Sequence, residues 1–370
     1  MANRLALFSC VFLALTTASV RADTILLKTG EKLDKVTIKS ENAKTVVISH
    51  TAEKKKKEET IPSVNISDVV YEDIRPFDLR SGAYKNATDA EKDVDSEDSA
   101  KKKKALDAAI AGYTQTVKEM KRDSQSQKNA ARHLEFKLAV LILKSGADEL
   151  TILRGVERLQ QFAKDHRDSW QINQVLPMLA QIQMDNKDWK EAAKTYQDMA
   201  AMKEFSPEVR RDAKLMLVTI AVRAKDMELA NKRLQELKPE AESNPAFGLR
   251  VDITRADILM GQKQTKEAIE LLQKVVNSKG DKATMAQAHN MLGECLFKSE
   301  KFAEARWEFL YVDTVYNQDK HQHAKALYYL WKIFGEVKTR DEARAKQCRA
   351  MLEEPQFNGT EYQKLARQGK

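Results

Sequence analysis

Five alanines recur at nearly constant spacing through the C-terminal half of the chain. They are Ala192, Ala230, Ala268, Ala305 and Ala343, and their sequence numbers rise in steps of 38, 38, 37 and 38. A repeat of this length is typical of small helical units that bury their apolar faces only by stacking on one another. The spacing therefore predicts a row of helical hairpins in which each alanine lets two helices approach closely.

The stretch MLGECLFKSEKFAEARWEFL (residues 291–310) shows one unit in full. Its large and small residues follow a fixed order: Leu292, Gly293, Leu296, Phe302, Ala305, Phe309. This order resembles the tetratricopeptide repeat (TPR), which implies paired antiparallel helices whose first members line a concave, peptide-binding face. The standard TPR unit has about 34 residues, so each unit here carries three or four more. Arg255, Trp331 and Gln347 depart from the pattern.

The predicted fold class is mostly α: an α-solenoid of about six TPR-like hairpins with a period of about 38, preceded by a small β-barrel. The repeat domain is assigned to residues 105–370. Gly155, Leu159 and Phe162 indicate a degenerate hairpin before the alanine series. The amphipathic segment 105–122 is predicted to cap the start of the stack. Thr360 is predicted to begin a short final helix.

Residues 1–22 have the features of a secretory signal peptide. Arg4 precedes an apolar run from Leu5 to Leu15, and small residues lead to Ala22. The run is shorter than the roughly 20 residues of a membrane span. We predict cleavage after Ala22, export to the periplasm or the outside of the cell, and a mature chain that is not integral to the membrane. Retention of the segment as an anchor remains open.

Residues 23–78 are predicted to form a small SH3-like β-barrel. Apolar and polar residues alternate in short segments separated by turn signals, at 24–28, 32–40, 44–50 and 60–73. So small a module must curl to bury a core and cover its edges. The strand order resembles SH3-like or Sm-like barrels, which implies a helical turn at 65–68 before a closing strand. The run Lys54–Lys57 is interpreted as a solvated hairpin tip.

Residues 79–104 contain acidic and basic blocks with almost no large apolar side chain. Such a composition buries little surface, and it predicts a flexible or partly helical linker between barrel and repeats.

The sequence predicts no catalytic, cofactor or metal site, and we expect no enzyme. Cys295 has no histidine on its helix face, so it is interpreted as a small buried side chain. Cys295 and Cys348 are the two cysteines that follow the predicted signal peptide, and two cysteines are too few for a disulfide framework. His321 and His323 lack the further ligands of a zinc site. A net charge of +8 over 370 residues is mild, and with export it argues against nucleic acid as a partner.

Mapping the hairpins onto the resembling solenoids places nine residues on the concave face: Arg223, Arg250, Asp257, Asn290, Glu294, Phe297, Lys325, Tyr328 and Lys332. Their cations, amides and aromatic rings suit an extended acidic or C-terminal peptide segment. The Lys/Asn pattern with which resembling repeats clamp a terminal carboxylate is not reproduced in register.

The function predicted from these features is an exported, non-enzymatic scaffold or adaptor that binds protein or peptide segments. The alternative is a module that binds cell-envelope polymers or anionic surfaces through the N-terminal barrel. A homodimer is also open, because the segment ALYYLWKIF (326–334) concentrates four aromatic residues in one helix.

Overall fold

The computed structural model describes residues 22–50, 58–72, 82–146, 148–336 and 340–369. Their contacts divide the chain into two compact units, Met1–Leu179 and Ala180–Lys370. The predicted signal peptide up to residue 21, the Lys54–Lys57 tip and the start of the predicted linker lie outside the described residues. Within those residues, every helix is too short or too polar to cross a bilayer.

The first unit opens with a five-stranded antiparallel sheet. Its strands are β1 Asp23–Leu27, β2 Lys32–Glu41, β3 Thr45–His50, β4 Glu58–Pro62 and β5 Ile66–Val70. They are ordered β4-β3-β2-β1-β5, so the last strand pairs with the first. The turn before β5 is a 3-10 helix at Ser63–Asn65, earlier than the predicted 65–68. The strand begins at Ile66 because that side chain is fully buried under the sheet.

Helices follow this sheet, and the first three of them contribute buried residues to its core. They are α1 Ala83–Glu91, α2 Ser99–Glu119, α3 Gln125–Ser145 and α4 Glu149–Asp165, followed by α5 Ile172–Asp185, which continues into the second unit. The core that contains Ile25 and Val46 also contains Leu134 and Trp170.

The described part of the predicted linker, from residue 82 onward, is folded. It forms α1 and the start of α2, and Ala87 and Val94 are buried in the same core as the strands. A few small apolar residues are enough to pack such a charged segment against the core, because the charged side chains around them stay in solvent. The division after Leu179 therefore differs from the boundary predicted near residue 105.

The second unit consists of helical hairpins, as predicted. Its helices are α6 Trp189–Ala201, α7 Pro207–Arg223, α8 Met227–Glu236, α9 Lys238–Ser243, α10 Pro245–Gly261, α11 Thr265–Val276, α12 Lys282–Lys298, α13 Phe302–Thr314, α14 Lys320–Gly335, α15 Glu342–Leu352 and α16 Glu361–Arg367. The hairpins are α5–α6, α7–α8, α10–α11, α12–α13 and α14–α15. Short α9 accommodates extra residues of its unit. Thr360 caps α16, as predicted.

The turn inside each of four hairpins has the same geometry. One residue in each turn has a left-handed backbone: Lys187, Lys225, Lys263 and Glu300 have φ values of 60°, 62°, 63° and 57°. The N–H of the following residue donates to a carbonyl five positions back, at 2.8 to 2.9 Å, as in Asp188 to Gln183 and Lys301 to Leu296. This is the helix-ending Schellman pattern. Its recurrence once in each of these hairpins confirms the predicted period.

The alanine series holds in four hairpins and shifts in the fifth. Four of the alanines are fully buried, each three positions after the start of its second helix: Ala192, Ala230, Ala268 and Ala305. The prediction for Ala343 was wrong, because this residue is exposed and Ala345 takes the buried position. The connection between α14 and α15 is twice as long as that between α12 and α13, so α15 starts later than the period implies.

Candidate binding groove

A groove of about 1130 Å³ lies along the second unit. It is lined by the C-terminal parts of the first helices of successive hairpins, namely α5, α7, α10 and α12, with Lys325 of α14 and Tyr362 of α16 at one end. The repeated packing of the hairpins brings these helix ends into one row. Residues as distant in the sequence as Gln181 and Tyr362 therefore face the same space.

Half-buried apolar side chains line part of the groove, and charged and polar groups line the rest. Four of the apolar side chains are methionines, Met184, Met227, Met260 and Met291, and Trp189 lies beside them. Methionine is unbranched and polarisable, so a surface built from it adapts to apolar partners of different shape. This lining suits side chains of a protein segment better than a single rigid small molecule.

One wall of the groove carries a compact ion cluster. Lys298 Nζ and Lys325 Nζ lie 2.7 Å from the two carboxylate oxygens of Glu294. Burial alone would raise the pKa of Glu294, but the two lysines outweigh it and hold the pKa below its usual range. The Lys325 ammonium also lies 6.0 Å from the ring centroid of Tyr362. The carboxylate is thus charged and already satisfied.

The other charges of the groove are of both signs. Arg223 approaches Asp257 at 4.0 Å, and Gln181 donates a hydrogen bond to Asp185 at 2.8 Å. Altogether five cations and four anions line the groove: Lys187, Arg223, Lys225, Lys298, Lys325, Asp185, Asp257, Glu294 and Glu361. A partner therefore meets apolar side chains framed by charges.

The structure brings four of the nine predicted groove residues into this groove: Arg223, Asp257, Glu294 and Lys325. The other five are not among the residues that line it. Arg250 lies 2.5 Å from Asp212 in an ion pair. Asn290 is 1% exposed, and its amide donates to both the backbone and the side chain of Gln322.

The remaining predicted residues belong to an aromatic cluster next to the groove. Phe297 packs edge-to-face against Phe302 and Tyr329, with ring centroids 5.3 and 5.2 Å apart. Tyr328 contacts the Trp331 ring, and the Lys332 ammonium lies over both rings at 5.7 and 5.0 Å.

Sequence reasoning missed the methionines and the contribution of α16. A signal for part of this set was present, because Met184, Val222, Met260 and Phe297 are spaced by the repeat period. These residues lie five positions after the equivalent first-helix residues Leu179, Leu217, Arg255 and Leu292, so extending the period to that position would have located the first three. Glu361 and Tyr362 follow the last repeat, and no period places them.

The aromatic segment 326–334 is mostly internal. Tyr329 stacks on Phe309 with ring centroids 4.8 Å apart, and Phe334 is 3% exposed. Tyr328 and Trp331 are half-buried. The predicted dimer contact through these rings stays a prediction.

Both cysteines of the described residues are buried free thiols. Burial raises the pKa of Cys295 and of Cys348 to about 11. A thiol of this kind is a poor nucleophile, because the thiolate is scarce near neutral pH. His323 lies 2.7 Å from Asp313, and the described residues contain no group of three or more side chains arranged to hold a metal ion.

We expect the two thiols to react with an aromatic disulfide reagent about a hundredfold more slowly in the native protein than in the denatured protein. The measurement is the rate of thiol release near pH 8 in a Cys10→Ser variant, so that only these two cysteines contribute. A native rate equal to the denatured rate would contradict the burial of both residues.

Comparison with solved structures identifies a tetratricopeptide repeat protein from Parabacteroides merdae as similar to this chain. The two chains share 14% sequence identity with a TM-score of 0.50, and the alignment covers 78% of this chain and 100% of that chain. No protein-family model matches the sequence, and no curated protein matches it. At this identity the likeness concerns the fold. It confirms the predicted TPR-like architecture.

Proposed function

We propose that this chain is an exported, non-enzymatic scaffold that binds protein segments in the groove of its second unit. The observation that carries the proposal is the row of four half-buried methionines, of which Met184, Met260 and Met291 belong to first helices and Met227 begins the second helix α8. An extended or helical segment can lay apolar side chains along such a row. The flanking charges would set its direction and register.

The proposal also includes export and a small SH3-like barrel at the N-terminus. Export is supported by the charge and apolar pattern of residues 1–22. The barrel is supported by the order β4-β3-β2-β1-β5 and by the 3-10 turn before the last strand. In this proposal the barrel and its covering helices hold the repeat unit at the place where its partners occur.

Selection of peptides from a random display library tests the groove. We expect the full chain to enrich a set of peptides from the library. The double variant Met260→Asp with Met291→Asp should bind these peptides about tenfold more weakly, because the apolar side chains of the groove are lost. The matched control is Gln197→Asp combined with Gln273→Asp, which places the same two charges at exposed positions of α6 and α11 away from the groove lining. Affinities are measured by fluorescence anisotropy, and circular dichroism checks that each variant is folded.

Two results would contradict the groove proposal. One is a selection that enriches no peptide over an unrelated helical protein. The other is a set of peptides whose affinities are the same for the wild type and the double methionine variant.

A further inference from the structure

Three of the repeated turns place a lysine where the backbone is left-handed. Lys187, Lys225 and Lys263 have φ values of 60°, 62° and 63°, and they occupy the same position of three successive repeats. Glycine is the usual residue at this position after a helix, because a Cβ atom disfavours positive φ. The same unfavourable residue type therefore recurs in three successive hairpins.

A lysine near a helix C-terminus also interacts favourably with the helix dipole, which is an explanation based on stability alone. The positions of these side chains point to a second role. All three are exposed, and Lys187 and Lys225 line the groove. Among the described residues none of the three ammonium groups has an ion-pair partner.

Three of the four acidic groups of the groove, by contrast, already have a side-chain partner. Glu294 is shared by two lysines, and Asp257 faces Arg223. Asp185 accepts a hydrogen bond from Gln181, and Glu361 lies in the first turn of α16, where the helix dipole favours a negative charge. Of the charged groups that line the groove, Lys187, Lys225 and Glu361 are therefore the ones without a side-chain partner among the described residues, and two of these three are cations.

We infer that Lys187, Lys225 and Lys263 form a lysine rim that binds an acidic protein segment, one in which aspartate or glutamate flanks the apolar residues that enter the groove. The inference rests on the proposed function and specifies the class of partner. Carboxylates of such a segment would pair with successive lysines while its apolar side chains contact the methionines. The fourth turn ends the rim, because Glu300 occupies the equivalent left-handed position.

The test uses the full chain and two short synthetic peptides, one of glutamate, leucine and serine and one with lysine in place of glutamate. The variant is Lys187→Gly with Lys225→Gly and Lys263→Gly, and the matched control is Glu300→Gly. We expect the wild type to prefer the glutamate peptide. The triple variant should bind it about tenfold more weakly, with no fall in thermal midpoint, because glycine suits positive φ. Glu300→Gly should leave its affinity unchanged.

The lysine rim would be overturned if the wild type bound the two peptides with equal affinity, or if the triple variant bound the glutamate peptide as tightly as the wild type does. A lower thermal midpoint of the triple variant would also overturn it, because the lysines would then serve stability. The library-selected peptides separate this failure from that of the proposed function. If they still depend on Met260 and Met291 but not on the three lysines, the groove stands and the rim is wrong. If they do not depend on the methionines, the proposed function itself fails.

Discussion

Replacing Arg132 by methionine should destabilise the first unit by about 3–5 kcal/mol, because a buried carboxylate would lose its cation. The guanidinium of Arg132 pairs with Glu41, whose side chain is 2% exposed. The same carboxylate accepts a hydrogen bond from Tyr71 at 2.7 Å, and Tyr71 in turn accepts one from Trp170 at 3.1 Å. Amide hydrogen exchange of β3 and α3 measures the loss within this unit.

The control for this prediction is the double variant Arg132→Met with Glu41→Gln. A neutral glutamine keeps an acceptor for the Tyr71 hydroxyl but needs no cation, so most of the lost stability should return. If the double variant is as unstable as the single one, the loss comes from packing around Arg132, and the account of a buried ion pair is wrong.

The loss of stability caused by Arg132→Met, called the deficit below, should also depend on pH. Burial raises the pKa of Glu41 even in the wild type, and removal of Arg132 raises it further. Because the folded-state pKa then exceeds that of the unfolded chain, the folded state gains protons as the pH falls through the folded-state pKa. The deficit should therefore be smaller near pH 5 than near pH 8.

Changing Gly293 to alanine should destabilise the second unit by about 1–3 kcal/mol, although the same change raises stability by ~1 kcal/mol in an open helix. A Cβ atom on Gly293 would lie 2.8 to 2.9 Å from three carbon atoms of the Phe309 ring. That ring is fully buried and stacked on Tyr329, so it has little room to move. Thermal unfolding of the full chain, followed by circular dichroism, measures the effect.

Two further variants test whether the effect comes from the close approach of Gly293 to the Phe309 ring. Gly335→Ala meets no atom within 4 Å and should be neutral or stabilising. Adding Phe309→Leu to Gly293→Ala should reduce the penalty of the alanine, because the smaller side chain leaves room for the methyl group. A Gly293→Ala variant as stable as the wild type would contradict helix contact at this glycine.

The local rules of the sequence were sufficient to predict the helical repeats. Small residues such as Gly293 and Ala305 recur at a fixed spacing, and each is buried where two helices meet. The strands near Ile25 and Val46 followed in the same way from alternation. These features depend on neighbours in the sequence, and for that reason a periodic pattern reveals them.

Features that depend on distant partners were not predictable. Glu41 and Arg132 lie far apart in the sequence, and neither residue type is normally buried, so no local pattern pairs them. The register of α15 depends on the length of the connection after Gly335, which a fixed period cannot foresee. In the groove, the period predicts Asp257 and Glu294, whereas Tyr362 arrives from a helix outside the repeats.

The most direct test of the central claim is photo-crosslinking from the groove in the cells that produce the protein. A photoreactive amino acid replaces Met260 in the full chain, and a second protein carries it at the exposed Gln273 as the control. We predict protein adducts from position 260 that are absent from position 273 and that compete with the library-selected peptides. Equal adducts from both positions, or adducts only with glycan or lipid from position 260, would contradict a groove that binds protein segments.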